Sequence, residues 1–320
     1  MNTSIRRERA LGAYLGVAIG DALGATVEFM TPREISHRYG VHDKIVGGGW
    51  LKLKAGQITD DTEMSLALGR AIVESGGWDL HAVAESFTAW LKRRPPDVGN
   101  TCRRGIRRFM TDGSLEAPLN PGDGGNGACM RNVPVVLATL GEPATFTRCT
   151  VEQSHITHHH PLSDAATLAT GQMAQSLILG GTLDDCRSIA ADLIARHPEF
   201  RFDPYPGRAS GYIVDTLQTV LYGLFSTENF ADCLTWVVNR GDDADTTGAI
   251  AGMVAGAAYG AAAIPTRWLK ALDPDIRRQI EWQADALLDL AERGDLLEPT
   301  HIGGGMGLLR RASAPLPSHP

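Results

Sequence analysis

An all-α fold, a compact orthogonal multi-helix bundle, is predicted by three features of this 320-residue chain. Apolar residues recur at helical spacing over most of its length, and strand-like alternation is scarce. The stretches between periodic runs carry Gly, Pro or both, as connections between helices do. With 43% hydrophobic residues the chain can bury a large core as one domain, expected over residues 1–311. Residues 312–320 contain Pro and Ser and are expected to be a disordered tail.

Helical spacing places runs, in order, at residues 6–25, 62–74, 80–92, 126–140, 165–179, 183–195, 212–224, 230–238, 246–262 and 276–293. The run over 247–263, TGAIAGMVAGAAYGAAA, is the least ordinary. Each interior Gly costs about 1 kcal/mol relative to Ala, so this segment is a poor isolated helix and must gain its stability from close neighbours. Nearly free of charge, it should run through the core. Gly20-Asp21-Ala22-Leu23-Gly24 faintly echoes the 241–248 segment, an echo too weak to define a repeat. Long loops are expected at 31–58, 94–100, 115–125 and 197–210, where functional residues often gather.

Composition narrows the function. The net charge is −7 and no long basic run occurs, which disfavours nucleic acid as the main partner. Arg103, Arg104, Arg107 and Arg108 cluster on about one and a half helical turns, as a solvated face or a contact for an acidic partner or phosphate. Cys102, Cys129, Cys149, Cys186 and Cys233 lack CxxC spacing, against a structural zinc or a disulfide framework and in favour of reduced thiols. The polar start, followed by an apolar run broken by Gly and Asp21, has no signal-peptide pattern, so a soluble cytoplasmic protein is expected.

Two acidic clusters dominate the chemistry: Thr59-Asp60-Asp61-Thr62 and Asp242-Asp243-Ala244-Asp245-Thr246-Thr247. Each opens an apolar helical segment. Carboxylate and hydroxyl oxygens crowded together suit hard divalent cations such as Mg²⁺ or Mn²⁺, since like charges repel until a cation neutralises them. For either cluster alone the alternative is ordinary helix capping by Thr59 or Asp60 and by Asp243 or Asp245. The Gly-rich turn Gly122-Asp123-Gly124-Gly125-Asn126-Gly127 is expected to lead directly into a helix, with backbone amides able to bind phosphate, or to be a plain turn. Pro95-Pro96-Asp97-Val98-Gly99-Asn100 holds Asp97 on a stiff loop for acid/base work, the alternative being a turn followed by an Asn cap. Thr157-His158-His159-His160-Pro161 lacks an HExxH frame for zinc and is read as a polar loop with one histidine touching ligand.

Together with the stretch Gly16-Val17-Ala18-Ile19-Gly20-Asp21-Ala22-Leu23-Gly24, with Gly125-Asn126-Gly127, Met130-Arg131 and Thr157-His158, these motifs closely resemble the ADP-ribosylglycohydrolase family over almost the whole chain. The resemblance implies an all-α hydrolase that uses two Mn²⁺ or Mg²⁺ ions to cleave a glycosidic bond to the distal ribose of ADP-ribose. It implies that Thr59, Asp60 and Asp61 bind one metal, that Asp243 and Thr246 bind the other, and that Asp245 bridges them. Glu28 is implied near the metals and Asp97 as the acid/base, with Asn100 beside it. Gly125, Asn126, Gly127 and His158 are implied to contact the diphosphate and riboses, and Tyr212 sits where an aromatic ring could stack on adenine or be buried in the core. The resemblance further implies a modified arginine of dinitrogenase reductase as substrate, chosen through loops 31–58 and 94–108. A PII-class signalling protein and, through it, an ammonium channel are implied as regulatory partners with indirect membrane association. Hydrolysis of another ADP-ribosyl linkage, to serine or in an ester, and non-catalytic ADP-ribose binding are the competing readings.

Overall fold

The computed structural model describes residues 2–294, so the expected tail at 312–320 and the expected domain end at 311 lie outside the described residues. Among those residues fourteen α-helices and no strand occur. They are α1 (Thr3–Gly24), α2 (Pro32–Tyr39), α3 (Asp60–Ser75), α4 (Leu80–Lys92), α5 (Asn100–Asp112), α6 (Val133–Ala138), α7 (Pro143–His155), α8 (Pro161–Ile178), α9 (Leu183–Arg196), α10 (Ile213–Ser226), α11 (Phe230–Val238), α12 (Ala244–Tyr259), α13 (Thr266–Ala271) and α14 (Pro274–Arg293). No described helix is long and apolar enough to cross a membrane. All five cysteines are free and buried.

The organising contact is an antiparallel seam between α1 and α12, in which Gly12, Gly16 and Gly20 face Gly256, Gly252 and Gly248. A Cβ on Gly16 would sit 2.0 Å from the Gly252 carbonyl oxygen, and one on Gly252 would sit 1.9 Å from that of Gly16. Backbone therefore packs on backbone. This is the close neighbour that the glycine-rich run requires: α12 is buried from Ala244 to Ala257, and dispersion contact across the seam offsets its poor intrinsic helix propensity. Tyr14 donates to Gln283 Oε1 at 2.7 Å, and Gln283 Nε2 donates to the Leu66 carbonyl at 3.0 Å, which ties α1, α14 and α3 together.

Helices α4 and α11 match the expected runs residue for residue, but four helices lie where none is expected. In α5 the buried residues Cys102, Gly105, Ile106 and Phe109 make a single narrow stripe beneath a polar, arginine-rich exterior. Helix α2, inside the expected 31–58 loop, buries only Ile35. Helices α7 and α13 are likewise absent from the apolar pattern. The expected helix over 126–140 shrinks to α6, because the Asn126 amide donates to the Gly211 carbonyl and residues 127–131 form turns. The Gly-rich turn thus does not lead directly into a helix, and no helix start sits there to receive phosphate.

The arginine cluster is not simply solvated. Arg104 pairs with Asp123, and Arg108 Nη2 donates to the Ile156 carbonyl at 2.8 Å.

Candidate metal and substrate site

The last turn of α1, still packed against α12 through Gly24 and Ala244, carries Asp21, which is fully buried. Asp21 accepts from the Thr59 amide at 3.0 Å and the Thr62 amide at 3.2 Å, and from the Thr62 hydroxyl at 2.5 Å. A carboxylate from one helix thereby caps the start of another, satisfying amides that an α-helix leaves unpaired. Thr59 occupies the N-cap position of α3 and Asp243 that of α12, yet neither makes a side-chain cap hydrogen bond. Simple capping therefore does not account for these two residues. Instead Thr59 Oγ1 lies 3.0 Å from Asp61 Oδ2, and Thr246 Oγ1 lies 3.3 Å from the same oxygen, which brings the two acidic clusters together.

Above this junction opens a cavity of about 610 Å³, lined by Glu28, Asp60, Asp97, Asp243, Asp245 and Thr246 among others. Thr59 and Asp61 lie behind its wall. Carboxylate oxygens of Glu28, Asp97 and Asp245 all come within 4.8 Å of one another. None of Glu28, Asp60, Asp61, Asp97, Asp243 and Asp245 forms an ion pair among the described residues. Burial and the neighbouring Asp97 charge push Asp60 up to about 8; burial, with Asp97, Asp243 and Asp60 nearby, pushes Glu28 up to about 8. Asp61 and Asp245 rise well above the usual carboxylate range, again through burial first and adjacent carboxylates second. Asp243 rises less, to about 6, because Asn126 donates to it against the effect of burial.

This donor set fits hard divalent cations. Asp61 Oδ1 is buried with no hydrogen-bond partner among the described residues, and oxygen ligands of this density suit Mg²⁺ or Mn²⁺. Burial first, and neighbouring carboxylates second, make the ionised forms costly without a positive charge.

Local backbone aims the rim. The Phe29 amide donates to the Asp242 carbonyl at 2.6 Å and the Asp242 amide to the Met30 carbonyl at 2.8 Å, a clasp joining the exit of α1 to the entry of α12. Phe29 and Asp242 both take left-handed φ values, 62° and 54°, a conformation uncommon for non-glycine residues and rarest for bulky ones. Trp50 packs on Phe29 with ring centroids 5.3 Å apart, and its Nε1 donates to Glu28 Oε2 at 2.6 Å. Opposite, the Gly99 amide donates to Asp60 Oδ2 at 2.9 Å, so a metal-candidate carboxylate holds the Asp97 loop. Gly99, not Asn100, is the N-cap of α5, which overturns the Asn-cap alternative; Asn100 lines the cavity instead.

On the far wall lie Gly125, Asn126, Gly127 and His158. Asn126 Nδ2 bridges Thr216 Oγ1 at 3.0 Å and Asp243 Oδ2 at 2.5 Å. His158 is buried, with Nδ1 2.7 Å from Thr157 Oγ1, and burial together with Arg131 and Arg104 drives its pKa well below the ordinary value. It is neutral at pH 7. A Cβ on Gly127 would fall 2.8 Å from His158 Cε1, so glycine is what admits the ring. Tyr212 does not line this cavity. It is 43% exposed, not buried in the core, and its ring sits against Gly124 at the cavity's edge.

Several residues at the site have no individual role assigned from the sequence. Asp21 and Thr62 stand within quoted motifs, but their pairing is long-range. Phe29 and Trp50 fall in irregular backbone, without periodicity to mark them. Arg131 is wholly buried and donates to Gln153 Oε1, the Gln153 carbonyl and Thr157 Oγ1, so it fixes the hydroxyl that orients His158.

A helical bundle that gathers two acidic helix starts around one cavity is the arrangement of a class, and the chain belongs to it: the ADP-ribosylglycohydrolase family, whose model matches residues 2–297. Among its relatives is the ADP-ribosyl-[dinitrogen reductase] glycohydrolase of Rhodospirillum rubrum, 58% identical over 284 residues, which cover 89% of this chain and 97% of that protein. The ADP-ribosylarginine hydrolase Tri1 of Serratia proteamaculans is 33% identical over 83% of this chain and 75% of its own length. A solved structure titled ADP-ribosylglycohydrolase-related protein complex superposes with a TM-score of 0.81 at 30% identity, covering 90% of this chain and 99% of that one.

Proposed function

We propose that this protein is a cytoplasmic two-metal hydrolase that removes ADP-ribose from a modified arginine of dinitrogenase reductase and so restores nitrogen fixation. The observation that carries the chemistry is the cavity of unpaired carboxylates, with Asp61 Oδ1 buried and unpartnered beneath it. The substrate reading is supported by the Rhodospirillum rubrum relative, and the arginine linkage by the name of the Tri1 relative.

In this reading Thr59, Asp60, Asp61, Asp243, Asp245 and Thr246 hold two Mn²⁺ or Mg²⁺ ions. Such a pair supplies an activated water and a hold on the distal ribose hydroxyls. Asp97, half-buried and with its pKa raised by that burial, is placed to carry a proton between water and the departing guanidine. Arginine leaves poorly, so that proton is as necessary as the water. Glu28, fixed by Trp50, sits beside Asp97 to orient the sugar. Asn100, Gly125, Asn126, Gly127 and neutral His158 bind the diphosphate and riboses, while Tyr212 at the edge receives the adenine. Binding energy from these remote groups positions the scissile bond. Regulation through a PII-class protein and an ammonium channel rests on the family resemblance alone.

The test is release of ADP-ribose from arginine-modified dinitrogenase reductase by metal-stripped protein, with and without Mn²⁺, beside Asp243→Ala and Asp97→Asn. Release should require metal and vanish in Asp243→Ala. Asp97→Asn should keep metal and ADP-ribose affinity while kcat falls about a hundredfold or more. Near-normal turnover in Asp97→Asn would remove its acid/base role.

A further inference from the structure

A second cavity, of about 340 Å³, adjoins the first, and Pro96 lines both. Its other lining residues include Arg70, Arg93 and Arg94, together with Glu63, Trp90 and Gln279. No guanidinium of the three makes a hydrogen bond or ion pair among the described residues. Glu63 is the single carboxylate in the lining, held by Trp90 Nε1 at 2.6 Å. Three positive groups against one negative leave an excess of positive charge here, in a chain whose net charge is −7. Arg93 and Arg94 are exposed and Arg70 half-buried, the Arg93 charge acts on Glu63, and the planar donor forks of guanidinium groups match carboxylates. Arg94 holds a left-handed φ of 57° immediately before Pro95-Pro96-Asp97, so the arginine cavity and the Asp97 loop are parts of one backbone feature.

Two adjacent cavities thus carry opposite sign and share one wall: carboxylates on the Asp97 side, arginines in excess on the other. We infer that the arginine cavity binds a carboxylate-bearing segment of the protein substrate whose modified arginine enters the carboxylate cavity. This deepens the proposed function and rests on it. An acidic segment crossing Pro96 would engage both cavities, which gives the protein substrate an anchor that free ADP-ribosylarginine lacks.

The experiment compares wild type with the triple variant Arg70→Gln, Arg93→Gln, Arg94→Gln on two substrates, modified dinitrogenase reductase and free ADP-ribosylarginine. The KM for the protein should rise about tenfold, as expected for losing three partly exposed contacts, and wild-type dependence on salt should flatten in the variant. Kinetics on ADP-ribosylarginine should stay within about twofold. Equal losses on both substrates, or no change on either, would overturn the inference. Should wild type act on neither arginine substrate, the proposed function itself fails. Calorimetric binding of a glutamate-rich peptide then decides the cavity's role: binding by wild type that the variant loses upholds an acidic-segment site, and no binding by wild type overturns it. Circular dichroism melting of the variant near the wild-type temperature guards against misfolding.

Discussion

The same two helices, α1 and α12, hold the driest and the most highly charged parts of the molecule. Along Gly12–Gly20 and Gly248–Gly256 they meet backbone to backbone with no room for a methyl group. At one end of this contact they place Asp21, next to Gly20, and Asp245, a turn before Gly248, in a cluster of like charge. One region is stabilised by contact; the other is tolerated because of it. Carboxylates that repel would move apart on a compliant scaffold, and the seam denies them that freedom.

The strongest way to break this arrangement is to thicken the seam. Gly252→Val puts a side chain where Gly16 backbone already lies 1.9 Å away, and should destabilise the fold by about 3 kcal/mol or more. Urea denaturation would measure it, and a loss under about 1 kcal/mol would mean that the helices part easily.

Next in size is removal of metal. At a free concentration a hundredfold above Kd, a bound ion adds about 2.7 kcal/mol, so chelation should lower the Tm clearly. The pH dependence should then reveal the cost of ionising these buried and crowded carboxylates. Asp21, Asp60, Glu28 and Asp243 have folded pKa values of about 7, 8, 8 and 6, all above their unfolded values. A carboxyl group raised in this way favours folding while protonated and loses that contribution as pH climbs through its folded pKa. Metal-free protein should therefore gain stability as pH falls from 8 towards 5, whereas metal-loaded protein should lose metal over the same range. Melting curves at several pH values, with and without Mn²⁺, would sink this account of the buried carboxylates if the metal-free protein showed the opposite slope.

The smallest effect sharpens the contrast from outside. Helix α2 is capped locally: Thr31 Oγ1 receives the Glu34 amide at 3.3 Å, and Glu34 Oε2 receives the Thr31 amide at 2.7 Å. Thr31→Ala should cost about 1 kcal/mol in denaturation and leave the Mn²⁺ titration of activity unchanged. A changed metal dependence would show that the site leans on local caps as well as on the seam.

How much of this was legible depended on range. The acidic clusters were readable because each is contiguous, and the need of residues 247–263 for close neighbours followed from glycine's cost. The identity of the neighbour did not, since a glycine stripe in α1 matches one in α12 only once the helices are docked; the faint echo around Gly20 lay on this stripe. Helix α5 was hidden because four arginines dominate a face whose buried stripe is narrow, although the spacing of Cys102, Ile106 and Phe109 was present to be read. The helix expected over 126–140 forms only at Val133–Ala138, because Asn126 is tied by its backbone amide to Gly211 and by its side chain to Thr216 and Asp243, contacts that local pattern does not record. Asp21 acts on Thr59 and Thr62 across more than a third of a hundred residues, so its role emerges only in the folded chain.

The Phe29–Asp242 clasp has one more consequence. Its two strained residues belong to segments that reach the cavity from opposite ends of the chain, one just after α1 and the other just before α12. The clasp therefore closes only between segments more than two hundred residues apart in sequence, so the cavity it borders is a product of the docked bundle and not of either helix alone.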